Sequence, residues 1–186
     1  MDRYIRKHIE SLGSTDDKVR LMALQSLLKA TESKVDWIYD VWDHLLEKLG
    51  HENSYQRSIG ILLICNLAKS DTDDRLAASL DRLLAHTRDE KFITSRQCLQ
   101  NVWKAAATND ANRRKVLKHL ERRFAECADE KHGNLLRGDI LQSMGALSAQ
   151  EKDEALLTRA RKLAASERDP KYRKQYETLI KGIAEK

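Results

Sequence analysis

The sequence predicts an all-α chain, a right-handed α-α superhelix (solenoid) of about five antiparallel helix pairs, on three observations. Helix breakers are scarce: one proline and seven glycines in 186 residues, in a text dominated by Leu, Ala, Lys, Arg and Glu, which favour helix. Five arginines, Arg20, Arg57, Arg96, Arg137 and Arg173, recur at spacings of 37, 39, 41 and 36 residues, a period typical of stacked repeats. Apolar or small residues keep helical phase around them. Three places on stand Ala23, Gly60, Leu99, Ile140 and Tyr176; seven on, Leu27, Ile64, Trp103, Met144 and Ile180; ten on, Ala30, Leu67, Ala106, Leu147 and Ile183. Steps of three and four residues share one helix face, so each anchor stands near the start of the second, or B, helix of a pair.

Start signals agree with this phase. Asp16-Asp17, Asn53-Ser54, Asn134 and Asp169-Pro170 precede the B stripes, supplying cap oxygens and, in the last case, a proline at the first helical position. The third unit has Phe92-Ile93 at these places, which puts its start at Asp89 or Thr94. Upstream of each B helix runs an amphipathic A helix: Tyr4, Ile5, Ile9, Leu12; Ile38, Trp42, Leu45, Leu49; Leu76, Leu80, Leu83; Leu117, Leu120, Phe124; Leu156, Ala160, Leu163. Asp71-Thr72 and Asn109-Asp110 read as A-helix caps, and Ser148 with Glu151 as a capping box. The reading is a single domain over 1–186 with approximate repeats 1–33, 34–70, 71–109, 110–148 and 149–186. The charged segments 2–7 and 171–186 serve as polar end caps, and the apolar B helix around Ser58 to Cys65 is the centre of the core.

Composition narrows the class. A hydrophobic content of 41% can bury a core. The longest apolar run, Ile59 to Cys65, is interrupted by Gly60 and is far shorter than the roughly 20 residues a membrane helix needs. No apolar signal segment opens the sequence, so a soluble, cytoplasmic protein without a membrane partner is expected. Cys65, Cys98 and Cys127 lie among apolar neighbours without a Cys-x-x-C pair, as buried free thiols would. Charge is uneven: residues 1–93 carry 14 Lys/Arg against 16 Asp/Glu, and residues 94–186 carry 20 against 13. A basic C-terminal half attracts nucleic acid or an acidic partner, or is simply a solvated exterior.

The segment Asp16 to Leu27, Asp-Asp-Lys-Val-Arg-Leu-Met-Ala-Leu-Gln-Ser-Leu, resembles the B-helix motif of the HEAT-repeat family, an armadillo-like class, and the likeness runs over nearly the whole chain. It implies B helices lining a concave surface and an aspartate and an arginine linking neighbouring repeats, although the acidic residue here keeps no single offset from the arginine. The outward B-helix positions of the middle units are then Ser58, Ile59, Leu62 and Leu63; Gln97, Cys98, Asn101 and Val102; and Gly138, Asp139, Gln142 and Ser143. Ile59, Leu62, Leu63, Gln97, Asn101, Asp139 and Gln142 are the concave-surface candidates, suited to a peptide or helix from another protein. Packing of Ile59, Leu62 and Leu63 against adjacent helices is the competing reading.

A second candidate surface is the basic run Arg113, Arg114, Lys115, Lys118, Arg122 and Arg123, opposed only by Glu121. Such density can meet phosphates, though aromatic residues do not interleave it, as stacking on bases would want. The resemblance also extends to HEAT-like DNA glycosylases that excise alkylated purines with tryptophans and a catalytic aspartate in a basic groove. The residues to compare are Trp37, Trp42, Trp103, Asp40, Asp43 and Asp139, of which Trp42 and Trp103 fall on core stripes. No phosphate-binding loop, nucleophile elbow or His-Glu-x-x-His occurs, and no His pairs with His or Cys at helical ligand spacing. No catalytic residue, metal or cofactor is therefore assigned. The expectation is a non-catalytic protein-interaction scaffold or adaptor. The alternatives are a DNA-binding protein related to the alkylpurine DNA glycosylases, and a subunit that only supports a larger assembly.

Overall fold

The computed structural model describes residues 1–184, and within them the chain is all-helical, with no strand. Residues 185 and 186, the tail of the expected C-terminal cap and of the last repeat, lie outside the described residues. Among the described residues eleven α-helices follow one another: α1 (Arg3–Ser11), α2 (Asp17–Ala30), α3 (Ile38–Leu49), α4 (Ser54–Leu67), α5 (Arg75–Ala85), α6 (Phe92–Asn101), α7 (Trp103–Ala106), α8 (Asp110–Glu126), α9 (Gly133–Glu151), α10 (Glu154–Ala165) and α11 (Pro170–Ala184). Single 3₁₀ turns extend α4, α5 and α8. The chain divides into two compact units, Met1–Cys98 and Leu99–Lys186, the boundary falling inside α6.

In the first unit, short connections fold α1 against α2 and α3 against α4, and α4 also packs on α2. Asp16 caps α2 by accepting from the N–H groups of Lys18 and Val19, and Asn53 caps α4 by accepting from Tyr55. α4 is buried on nearly every side, from Gln56 to Leu67 with Leu62 half-exposed, which makes it the centre of this unit's core. Ile38, Val41, Trp42, Leu45 and Leu49 of α3 meet it. Contact is close enough that a Cβ on Gly60 would sit 3.0 Å from the Leu45 carbonyl oxygen. The α5 start differs from the sequence reading: the helix begins after Asp74, a left-handed residue, while Asp71 reaches forward to accept from the Leu76 N–H at 2.7 Å. Helix α6 begins at Phe92, between the two starts expected for it, and its Cys98 thiol lies 3.4 Å from the Leu83 carbonyl of α5.

In the second unit α9 is central, packed by α7, α8, α10 and α11. Its start corrects the expected Asn134 cap: His132 takes a left-handed conformation and Gly133 opens the helix. A Cβ on Gly133 would lie 2.0 Å from the Cys127 carbonyl oxygen, so only glycine fits. Gly133→Ala is accordingly expected to destabilise this unit by about 2–3 kcal/mol, overpacking outweighing the gain in helix propensity; urea unfolding of the two proteins checks it. The Ser148–Glu151 capping box is also corrected. Helix α9 runs on through both residues, the Ser148 hydroxyl donates to the Asp153 carbonyl, and Asp153 caps α10. Asn109 caps α8 as expected, accepting from Asn112.

Six stripe residues depart from their expected burial, Ile9, Ala30 and Leu163 being half-buried. Tyr4 is 59% exposed, on the outer face of the first helix. Ile183 is only half-buried near the chain end. Trp103 is half-buried, while Val102 beside it, at the turn between α6 and α7, is fully buried together with Ala105 and the expected Ala106. The three cysteines are buried and form no disulfide among the described residues, and burial pushes the Cys98 and Cys127 thiols above their ordinary value.

Candidate functional site

Helices α2 and α4 and the start of α6 do more than close the core of the first unit. Leu21 and Leu24 of α2, Tyr55, Ile59 and Leu62 of α4, and Phe92 and Ile93 of α6 line one groove of about 650 Å3. Its apolar lining faces solvent: Leu21 is 54%, Tyr55 67% and Ile93 62% exposed, and Met22 beside them on α2 is 65% exposed. On the same lining, the Ser58 and Thr94 hydroxyls hydrogen-bond to each other at 3.1 Å, joining α4 to α6. Arg20 lies 5.6 Å from the Tyr55 ring centre, donates to the Ser14 carbonyl at 2.7 Å and pairs with Asp17. Glu90 and Lys91 complete the rim.

What holds α6 beside α4 is an ionic clamp. The Arg57 guanidinium donates to both Asp89 oxygens at 2.7 and 2.8 Å, and to the His51 and Glu52 carbonyls at 2.9 and 2.8 Å. Asp89 also meets His86 Nδ1 at 3.1 Å. Burial by itself would raise the Asp89 carboxyl, but hydrogen bonds from Arg57, the Lys91 N–H and His86 hold it down at about 2. The arginine anchors therefore share a mechanical role. Arg20, Arg57, Arg137 and Arg173 each donate to a backbone carbonyl upstream of their own helix or in the preceding helix's last turn, and Arg57 and Arg137 also reach Asp89 and Glu167, 32 and 30 residues further on.

Of the candidates read from the sequence, Ile59, Leu62 and Gln97 come together in the groove. Ile59 is 3% exposed and lines its base, whereas Leu63, at 1%, belongs to the core and not to the surface. The other three lie in the second unit. Asp139 is buried and accepts from Gln100 Nε2 at 2.8 Å, Asn101 accepts from Lys104, and Gln142 is exposed. Sequence reasoning missed Leu21, Leu24, Tyr55, Phe92 and Ile93. Their signal was apolar character on helix faces outside the core stripe, within four residues of Arg20, Arg57 or Arg96.

The basic run on α8 is less positive than its sequence. Arg123 is buried and makes a two-pronged pair with Glu130 at 2.5 and 2.8 Å; Arg113 pairs with Glu151 and Asp110; Arg122 lies 3.6 Å from Glu126. Arg114, Lys115 and Lys118 remain exposed. The glycosylase constellation does not form within either unit. In the first, Trp42 is core, Trp37 is half-buried at the start of α3, and Asp40 and Asp43 face the N-terminal ammonium and Arg75. In the second, Asp139 is buried beneath its amide partner. Among the described residues no group of His, Cys, Asp and Glu is placed to hold a metal ion, and no helix is long and apolar enough to cross a membrane.

No protein-family model and no curated protein matches the chain. Among solved structures, the crystal structure of an engineered protein is similar, with a TM-score of 0.56 at 16% identity, covering 97% of this chain and 80% of that one. At that identity the likeness concerns the all-helical fold alone.

Proposed function

We propose that the chain is a non-catalytic protein-interaction scaffold built from HEAT-like helix pairs, and that the groove on the B helices of its first unit holds a partner segment. The exposed apolar lining carries this reading: Leu21, Tyr55 and Ile93 are each more than half exposed around one groove, and contiguous apolar surface of that kind marks association sites. A width set by three neighbouring helices suits an amphipathic helix presenting residues at i, i+3 and i+4. The α-solenoid reading is supported within each unit by cross-links at the repeat distance. Val35 to Ser70, Ser58 to Thr94 and Asn66 to Thr31 are 35 or 36 residues apart in the first unit, and Gln100 to Asp139 and Arg159 to Glu121 are 39 and 38 apart in the second. The nucleic-acid alternative loses support from the burial and pairing of Arg123 and Arg113.

The test is a photoreactive residue placed at Ile93 or Leu21, with Arg114 as an exposed control, followed by reciprocal binding to whichever purified protein is captured. Cross-linking confined to the groove positions, and at least a tenfold loss of affinity in Leu21→Glu/Ile93→Glu at unchanged melting temperature, is expected. Equal capture at Arg114, or affinity indifferent to the groove substitutions, would sink the proposal. Duplex DNA is expected to bind no more weakly to Arg114→Glu/Lys118→Glu than to the wild type in 150 mM salt, as fluorescence anisotropy would show.

A further inference from the structure

A second cavity, of about 560 Å3, adjoins the groove and shares Asp17, Arg20 and Tyr55 with it. Most of its lining residues carry polar or charged groups, and Lys48 of α3 stands among them, only 6% exposed. The Lys48 ammonium donates to Gln56 Oε1 at 2.5 Å, and Gln56 Nε2 is already committed to the Leu12 carbonyl at 2.8 Å. Among the described residues no carboxylate forms an ion pair with Lys48. Asp17 is taken by Arg20, and Glu47 is 81% exposed, its carboxylate 3.9 Å from His44 Nδ1. An ammonium has three donors and a full charge; buried with one neutral acceptor, it lacks the counter-charge that buried ions need.

We propose that this cavity is an anion-binding site, in which Lys48 receives a carboxylate or phosphate borne by the peptide segment that lies in the groove. The inference rests on the groove reading for its peptide and on the cavity alone for its anion. Arg20 and Tyr55 form the shared wall, so a segment crossing it passes from the apolar groove to the cavity that holds the Lys48 ammonium, whose lining also carries the exposed Glu47 carboxylate. His44 and His51 stand on the same lining as further donors, while Arg20 contributes little net charge because Asp17 balances it. Burial depresses the Lys48 ammonium, partly opposed by Glu47, and depresses His44, with Lys48 adding to that effect. A bound anion relieves both. The partner is therefore an amphipathic segment with an acidic or phosphorylated residue at one end of its apolar stripe.

The test titrates sodium phosphate and sodium acetate separately into the 15N-labelled full chain at constant ionic strength, following the Gln56 side-chain amide, the Ser14 and Asn53 backbone amides and the Lys48 15Nζ resonance. Saturable shifts at these groups are expected, absent with sodium chloride, weakened at least tenfold in Lys48→Met and retained in Lys48→Arg. The relative strength of phosphate and acetate tells a phosphorylated residue from an acidic one. Leu21→Glu/Ile93→Glu is expected to leave the anion titration unchanged, so a failed groove and a failed anion site give different results. A neutral Lys48 amine at pH 7, unsaturable shifts, or equal binding in folded Lys48→Met would overturn the proposal.

Discussion

Ile64→Asp is expected to unfold the first unit. Ile64 is fully buried on α4, with Ile61, Leu63 and Leu67 of the same helix buried around it. A carboxylate there has no partner, and burying an unpaired charge costs several kcal/mol in addition to the lost apolar packing. A total of roughly 5 kcal/mol or more would consume most of the stability of an ordinary domain, which is about 5–15 kcal/mol. The measurement is circular dichroism with near-ultraviolet signal from Trp42, which is 1% exposed against the same core. Ile93→Asp is the matched control: at 62% exposure it is expected to change stability by no more than about 0.5 kcal/mol. Near-native melting of Ile64→Asp would mean that α4 is not the centre of the unit.

Breaking the Arg57–Asp89 clamp is the second large effect. Asp89→Ala leaves the buried Arg57 guanidinium with the His51 and Glu52 carbonyls and a long 3.5 Å contact to the exposed Glu90 carboxylate, and removing one member of a buried ion pair costs about 3–5 kcal/mol. The clamp also makes stability depend on pH. The Asp89 carboxyl falls from its ordinary 3.8 to about 2 on folding. Between these values the unfolded chain binds more protons, so the contribution is complete above the unfolded value and is lost as pH falls through about 2. The amount is about 2 kcal/mol. In a Trp103→Phe background, where fluorescence reports on Trp37 and Trp42 of the first unit, the stability gap between wild type and Asp89→Asn is expected to narrow by that amount from pH 5 to pH 2. A gap independent of pH would show that Asp89 is not held ionised by Arg57. Because the clamp places the start of α6 beside α4, Asp89→Ala is also expected to weaken any ligand of the groove.

The stripe around the anchors was legible because helical phase and burial are tied together: Ala23, Ile64, Ile140 and Met144 lie where spacing put them, at 1% exposure or less. Phase placed Trp103 less well: it is half-buried while Val102 beside it takes the core, and nothing in the local residues marks which of the two neighbours turns inward. Helix starts were legible where a side-chain oxygen does the capping, at Asp16, Asn53 and Asn109, and illegible at α9, where a left-handed His132 and a glycine pressed against a carbonyl do the work. Charge was the least transferable reading. Arg123 looked like part of a solvated patch, yet Glu130, seven residues on across a turn, buries and neutralises it.

Local chemistry by itself determined the helices, their approximate period and most of the buried stripe, since propensity, capping and 3.6-residue phase act within a few residues. Tertiary structure alone decided which apolar residues stay uncovered and which charges stay unpaired. Leu21, Tyr55 and Ile93 belong to three helices, and Lys48 is buried by α4 and the segment before α2, so the groove and its neighbouring cation exist only once residues some 35 positions apart in sequence are brought side by side.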